Sequence, residues 1–137
     1  MQTVYDAVET PPFQAWPEGA EILKHVGGCH CGKFRFEFEH PSLEVRPPVD
    51  CNCSLCTKRG ELHLYGDESR FTLTKGSWDE FSAYEWGKKR VKKLFCPICG
   101  CSVLWKGMGK VGINARTLDN FESSKIDTRL FDGKKRL

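Results

Sequence analysis

An all-β domain is the fold class that this 137-residue chain predicts. Three observations carry it. Short runs alternate apolar and polar residues with a period of two. Glycine or proline separates those runs every few residues. Nothing holds a helical period over ten residues, with Thr117 to Lys125 (short and polar) as the nearest approach. The length suits one domain with a modest core. Hydrophobic residues make up 39% and charged residues 28%, ordinary values for a globular chain.

The elements follow in order. Residues 1–25 hold three prolines in their first twenty positions and no clear period, so an irregular N-terminal extension packed on the domain is expected, with Phe13 and Trp16 to bury; a loose tail is the alternative. Gly27 and Gly28 let the backbone curl ahead of Cys29. Lys33 to Glu39 alternates cleanly, with Phe34, Phe36 and Phe38 on one face, and predicts a half-buried antiparallel strand that His40-Pro41 ends. Val45 to Asp50 contains Pro47-Pro48, which predicts extended chain away from the centre of a sheet. Thr57 to Gly60 reads as a turn. Glu61 to Tyr65, Arg70 to Thr74 and Glu80 to Trp86 read as strands, with a turn at Gly76. Lys88 to Phe95 is basic and then apolar. Ser102 to Lys106 and Lys110 to Asn114 are two more strands around a glycine-rich turn. Gly133 to Leu137 is a basic end, expected to be solvated.

No apolar run approaches the ~20 residues of a membrane span. The N-terminus lacks the basic-then-apolar pattern of a secretory signal. The expected setting is therefore reducing, the cytoplasm or alternatively the nucleus, where clustered cysteines bind metal more often than they form disulfides.

Cysteine is the informative residue. The chain has eight: Cys29 and Cys31; Cys51, Cys53 and Cys56; Cys96 and Cys99; and Cys101. Cys96-Pro97-Ile98-Cys99-Gly100 has the form of a zinc knuckle, in which Pro97 stiffens the turn and Gly100 permits the left-handed backbone that brings amides to sulfur. Zinc in closed sites takes four ligands. Among the three clusters, with Cys101 left over, four arise without splitting one only as two plus two, Cys29 and Cys31 with Cys96 and Cys99. That site clips the start of the domain to its later half. Cys51, Cys53 and Cys56 remain, one ligand short of closure, which is the pattern of a reactive zinc. An open position would take water or a thiol. Cys101, or less readily His63, could instead close it and make a plain scaffold.

The other histidines read as surface or internally satisfied groups. Lys58 or Arg59, just after Cys56, could pair with a carboxylate on a thiol substrate; solvated turn charges are the plainer reading. The formal charge is +3. Seven thiolates subtract seven charges and two zinc ions return four, leaving about zero, which argues against broad attraction to nucleic acid. A competing reading, a non-catalytic zinc module that binds protein or nucleic acid, would use Lys88, Lys89, Arg90, Lys92 and Lys93 near Trp86.

The motifs Gly28-Cys29-His30-Cys31-Gly32, Cys51-Asn52-Cys53-Ser54-Leu55-Cys56, Phe95-Cys96-Pro97-Ile98-Cys99-Gly100 and Asn114-Ala115-Arg116-Thr117-Leu118-Asp119 occur in the order found in the glutathione-dependent formaldehyde-activating enzyme and centromere protein V family, which the chain resembles over Val26 to Asp119. The resemblance implies a β-tent of twisted antiparallel sheets at residues 26–120, followed by a C-terminal segment at 121–137. It implies two zinc ions: a structural one on Cys29, Cys31, Cys96 and Cys99, and one linked to activity on Cys51, Cys53 and Cys56. It also implies a carbon–sulfur lyase acting on a thiol adduct, with glutathione and an electrophilic carbon as partners, as in formation or breakdown of S-hydroxymethylglutathione.

Overall fold

The computed structural model describes residues 15–85 and 91–136. Its strands are β1 (Ile22–Gly28), β2 (Arg35–Pro41), β3 (Val49–Cys51), β4 (His63–Asp67), β5 (Phe71–Lys75), β6 (Ser82–Tyr84), β7 (Lys92–Phe95), β8 (Ser102–Gly107), β9 (Lys110–Asn114) and β10 (Arg129–Phe131). Two short helices, α1 (Ser54–Arg59) and α2 (Gly133–Arg136), and a few single 3-10 turns complete it. The protein is all-β. One sheet has three strands in the order β1-β2-β5, and the other has seven in the order β10-β3-β4-β9-β8-β7-β6. Pairing is antiparallel except between β10 and β3.

The two sheets close on one core. Phe34, Phe36 and Phe38 are fully buried, as their alternation predicts. They meet Leu64, Val103, Val111 and Ile113 of the large sheet in one continuous cluster. Phe34 stacks on Phe81 with ring centroids 3.8 Å apart. The β8–β9 turn is a two-residue hairpin in which Met108 and Gly109 both have positive φ, 56° and 73°. That is the turn whose twist matches paired strands, and Gly109 makes it cheap.

The segment after β9 ties the sheets together. Asn114 accepts from the amides of Leu62 and Arg116 and donates to the Ser102 carbonyl. Leu118 bridges to Gly27 on β1, and Asp119 forms a two-pronged ion pair with Arg35 on β2. A side chain at Gly27 would meet the Thr117 carbonyl oxygen at 2.3 Å and the Leu118 Cα at 3.0 Å, both backbone atoms that cannot swing aside. Gly27→Ala is therefore expected to destabilise the protein by about 1–3 kcal/mol or more, read as a drop in the thermal midpoint, with loss of the contact between β1 and residues 117–118.

Several expectations from sequence need correction. Thr57 to Gly60 is not a simple turn: α1 spans Ser54–Arg59, its N-terminus capped by the Cys53 sulfur accepting from the Cys56 amide and its end set by Gly60 at φ 67°. Six residues are too few to show a helical period. Thr117 to Lys125 forms no α-helix: 3-10 turns end at Thr117 and span Ser123–Lys125, with Leu118 and Phe121 packed against the main core between them. β2 runs on through His40-Pro41, since β1 pairs with it over its whole length. β3 is an interior strand, because the two prolines end just before it and the short β10 covers its outer edge. The strand expected over Glu80 to Trp86 is shortened to β6, preceded by a 3-10 turn. Phe13, Trp86 and Lys88 to Arg90 lie outside the described residues; Trp16 packs edge-on against His40 with centroids 5.3 Å apart. Among the described residues, no helix is long and apolar enough to cross a membrane.

Candidate metal centres and the adjoining pocket

Two loops form the first thiol cluster. Cys29 and Cys31 lie between β1 and β2, and Cys96 and Cys99 lie between β7 and β8. All four sulfurs lie within 4.8 Å of one another. Cys29 and Cys31 are 3.7 Å apart, and Cys31 and Cys96 are 3.6 Å apart. A tetrahedron with metal–sulfur bonds of ~2.3 Å has edges of about 3.8 Å, so the four thiols fit such an ion. The backbone is arranged for anionic sulfur. The Phe34 amide donates to Cys29 at 3.4 Å and the Ile98 amide to Cys96 at 3.4 Å. Gly32 and Gly100 take φ 81° and 75° to close the two tight turns.

The second cluster is built by the end of β3 and the start of α1. Cys51, Cys53 and Cys56 are all buried, with sulfurs within 4.8 Å of one another. The Cys53 amide points at the Cys51 sulfur at 3.5 Å, and the Cys56 amide at the Cys53 sulfur at 3.4 Å. The hydrogen bond shared with Cys56 holds the Cys51 thiol down at about 6 and pushes Cys56 well up. Two neighbouring buried thiols thus oppose each other's ionisation, and full ionisation of the set calls for a cation among them.

Cys101 does not complete this cluster. It packs in the main core beside Cys99, with its sulfur 3.9 Å from its neighbour's carbonyl oxygen, while the three thiols pack separately against Val49 and Phe131. His63 comes closer. With Glu61 it places a ligand atom within 4.8 Å of the Cys56 sulfur. It is buried, stacks on Tyr65, and its Nε2 is 2.9 Å from Glu61. It lies on the strand face opposite Leu62 and Leu64, but that face is buried too. His25 and His40 are satisfied by carbonyls of the β2 end, and His30 is exposed.

The surroundings of Glu61 are not foreseeable from sequence. This carboxylate is 4% exposed and binds His63, Lys93 at 3.2 Å, Arg59 at 3.0 Å and the Ser102 hydroxyl. Burial alone would raise its pKa, but these partners together hold it well below the usual carboxylate range. Arg59 is thereby committed: it also donates to Ser102 and lies over the Phe95 ring. The alternation of Glu61 and His63 was the available signal, since it puts both on one face; Lys93 and Ser102 reach them only through the register of β7 and β8.

Beside Cys56 a pocket of about 310 Å³ opens, walled by Asp50, Gly60, Glu61, Arg116, Phe131 and Asp132 among others. Arg116, unremarked from sequence except as part of a motif, is pinned there by an Nε bond of 3.1 Å to the Gly60 carbonyl and by the Phe121 ring.

An all-β scaffold with one four-thiol cluster and a separate three-thiol cluster facing a pocket defines a class: a cysteine-cluster protein with two seats for metal ions. The chain belongs to the glutathione-dependent formaldehyde-activating enzyme family, whose model matches residues 24–133. Its fold is also similar to the crystal structure of a Rhodobacter sphaeroides protein from a structural genomics programme, with a TM-score of 0.68 and 23% identity, covering 77% of this chain and 98% of that one.

Proposed function

We propose that the protein is a zinc-dependent carbon–sulfur lyase that makes or breaks the adduct between a glutathione-like thiol and an aldehyde carbon such as formaldehyde. The observation that carries this reading is the three-thiol cluster, which has no fourth thiol beside it among the described residues and opens on a pocket at Cys56. Cys29, Cys31, Cys96 and Cys99 would hold a structural zinc, and Cys51, Cys53 and Cys56 a second one. A zinc at the second seat lowers the pKa of a thiol that reaches it, so that the thiol is a thiolate near neutral pH.

The chain's own residues account for the remainder. In the forward direction the sulfur–carbon bond forms, the carbonyl π bond breaks, and the proton released by the thiol ends on the new hydroxyl. Lys93 and Arg59, held by Glu61, place two cations beside a seat whose thiolates outnumber the charge of one divalent ion. Glu61 is fully engaged and depressed, so it positions these groups and is a poor proton acceptor. The family name supplies the glutathione and formaldehyde chemistry; a reducing compartment, the cytoplasm or alternatively the nucleus, suits the free thiols.

Exchange NMR can measure the rate of S-hydroxymethylglutathione formation above the spontaneous rate. Cys56→Ser and Cys53→Ser are each expected to bring that rate to the spontaneous level while the circular dichroism of the sheets persists. Full activity in either folded variant removes the reading.

A further inference from the structure

The pocket beside Cys56 carries one cation and one carboxylate that pair with no opposite charge among the described residues. Arg116 is the one cation on its described walls. Its Nε is spent on Gly60, which fixes the plane of the guanidinium, and its two Nη groups have no partner among the described residues. Three carboxylates line the same pocket. Glu61 is saturated by His63, Lys93, Arg59 and Ser102. Asp132 accepts from the Asn52 side chain at 2.9 Å. Asp50, half-buried on β3, makes no hydrogen bond or ion pair among the described residues. Arg59 and Lys93, two other cations near the second cluster, both bind Glu61.

The Nη edge of a planar guanidinium suits a carboxylate, and a carboxylate without an ion-pair partner suits an ammonium group. Both stand on the walls of a pocket of about 310 Å³, at the small end of ligand sites, roughly 300–1,000 Å³. We propose that Arg116 and Asp50 select the thiol by its own charges. Arg116 takes a carboxylate and Asp50 an ammonium group, so the pocket favours thiols that carry both over thiols that carry one or neither. Arg59, next to the second cluster in sequence, is held by Glu61 and Ser102 and has no part in this selection. The inference rests on the thiol-binding reading above and adds the residues that discriminate.

The test is calorimetric, on the zinc-loaded full chain, with four probes: glutathione (both groups), cysteamine (ammonium only), 3-mercaptopropionate (carboxylate only) and 2-mercaptoethanol (neither). Wild type is expected to bind glutathione most tightly. Arg116→Gln is expected to lower the ratio of glutathione to cysteamine affinity by at least about tenfold, the scale of one lost charge-assisted bond. Asp50→Asn is expected to lower the ratio of glutathione to 3-mercaptopropionate affinity by a similar factor. Arg116→Lys, which keeps the charge and loses the fork, should recover part of the first ratio, and it carries the test if the glutamine variant fails to fold. Ratios that stay at the wild-type values overturn the proposal and leave the thiol reading intact. Failure of wild type to bind any of the four thiols overturns both.

Discussion

Cys99→Ser is expected to abolish the cooperative thermal transition, and a strong chelator should do the same to wild type. Cys99 is only partly buried, so the serine removes one thiol of the proposed structural zinc site with little loss of packing. The two halves of its cluster are far apart in sequence. Cys31 and Cys96 are separated by 65 residues, and their sulfurs lie 3.6 Å apart. Each loop is closed by its own tight turn, such as the Gly100 amide on the Cys96 carbonyl at 2.8 Å, and the four sulfurs are where the two loops meet. Apparent binding energies of structural zinc run to about 10–16 kcal/mol, as large as the whole net stability of a domain, about 5–15 kcal/mol. Circular dichroism against temperature checks this. A midpoint lowered by only a few degrees, in either the variant or the chelated protein, would show that the apolar core holds the fold without metal.

The second large effect is expected at Glu61. Removing this carboxylate strands Lys93, itself 6% exposed, and leaves Arg59 and His63 without their partner. Breaking a buried ion pair by deleting one member costs about 3–5 kcal/mol, because the remaining charge stays desolvated. Glu61→Ala should therefore lose most of that amount in denaturant unfolding, whereas Glu61→Ala combined with Lys93→Met should regain a large part of it. The pH dependence follows from the direction of the shift. A carboxylate held below its unfolded pKa, about 4.3, contributes stability that is present above that value and lost as pH falls through the folded one. His63 is depressed by burial and acts in the same sense from about pH 6.5 downward, since only the unfolded chain takes up its proton there. The wild-type stability curve should thus fall more steeply on acidification than that of Glu61→Gln. Parallel curves would place the network's charge elsewhere.

Much of this was legible in the sequence, for physical reasons that vary by element. The phenylalanine face of β2 was clear because a half-buried strand writes its period directly, and β9 was read to its exact ends because polar and glycine residues bound it. The grouping of Cys29, Cys31, Cys96 and Cys99 followed from counting ligands, since four sulfurs around an ion leave few pairings. By contrast, β1 is largely exposed along its first half and shows no alternation, and β10 is three residues long and paired in parallel, so neither announces itself. α1 is fixed by its caps: Cys53 and Gly60, read as ligand and turn residue, also start and stop a helix. The Glu61 network and the pocket wall at Arg116 depend on which strands are neighbours, and a single sequence does not state register. Lys93 in particular read as part of a basic surface run, yet it points inward to Glu61.

On the proposed function, the Cys51, Cys53 and Cys56 seat keeps a position into which an outside thiol can enter. Cobalt substitution measures this most directly, because each thiolate bound to cobalt adds to the sulfur-to-metal charge-transfer absorption. Saturating glutathione is expected to raise that absorption at the second seat by the contribution of one further thiolate, and the rise should vanish in Cys56→Ser. Charge-transfer intensity that does not respond to glutathione in wild type, with a spectrum altered instead by His63→Gln, would mean that His63 closes the seat, and the account would be contradicted.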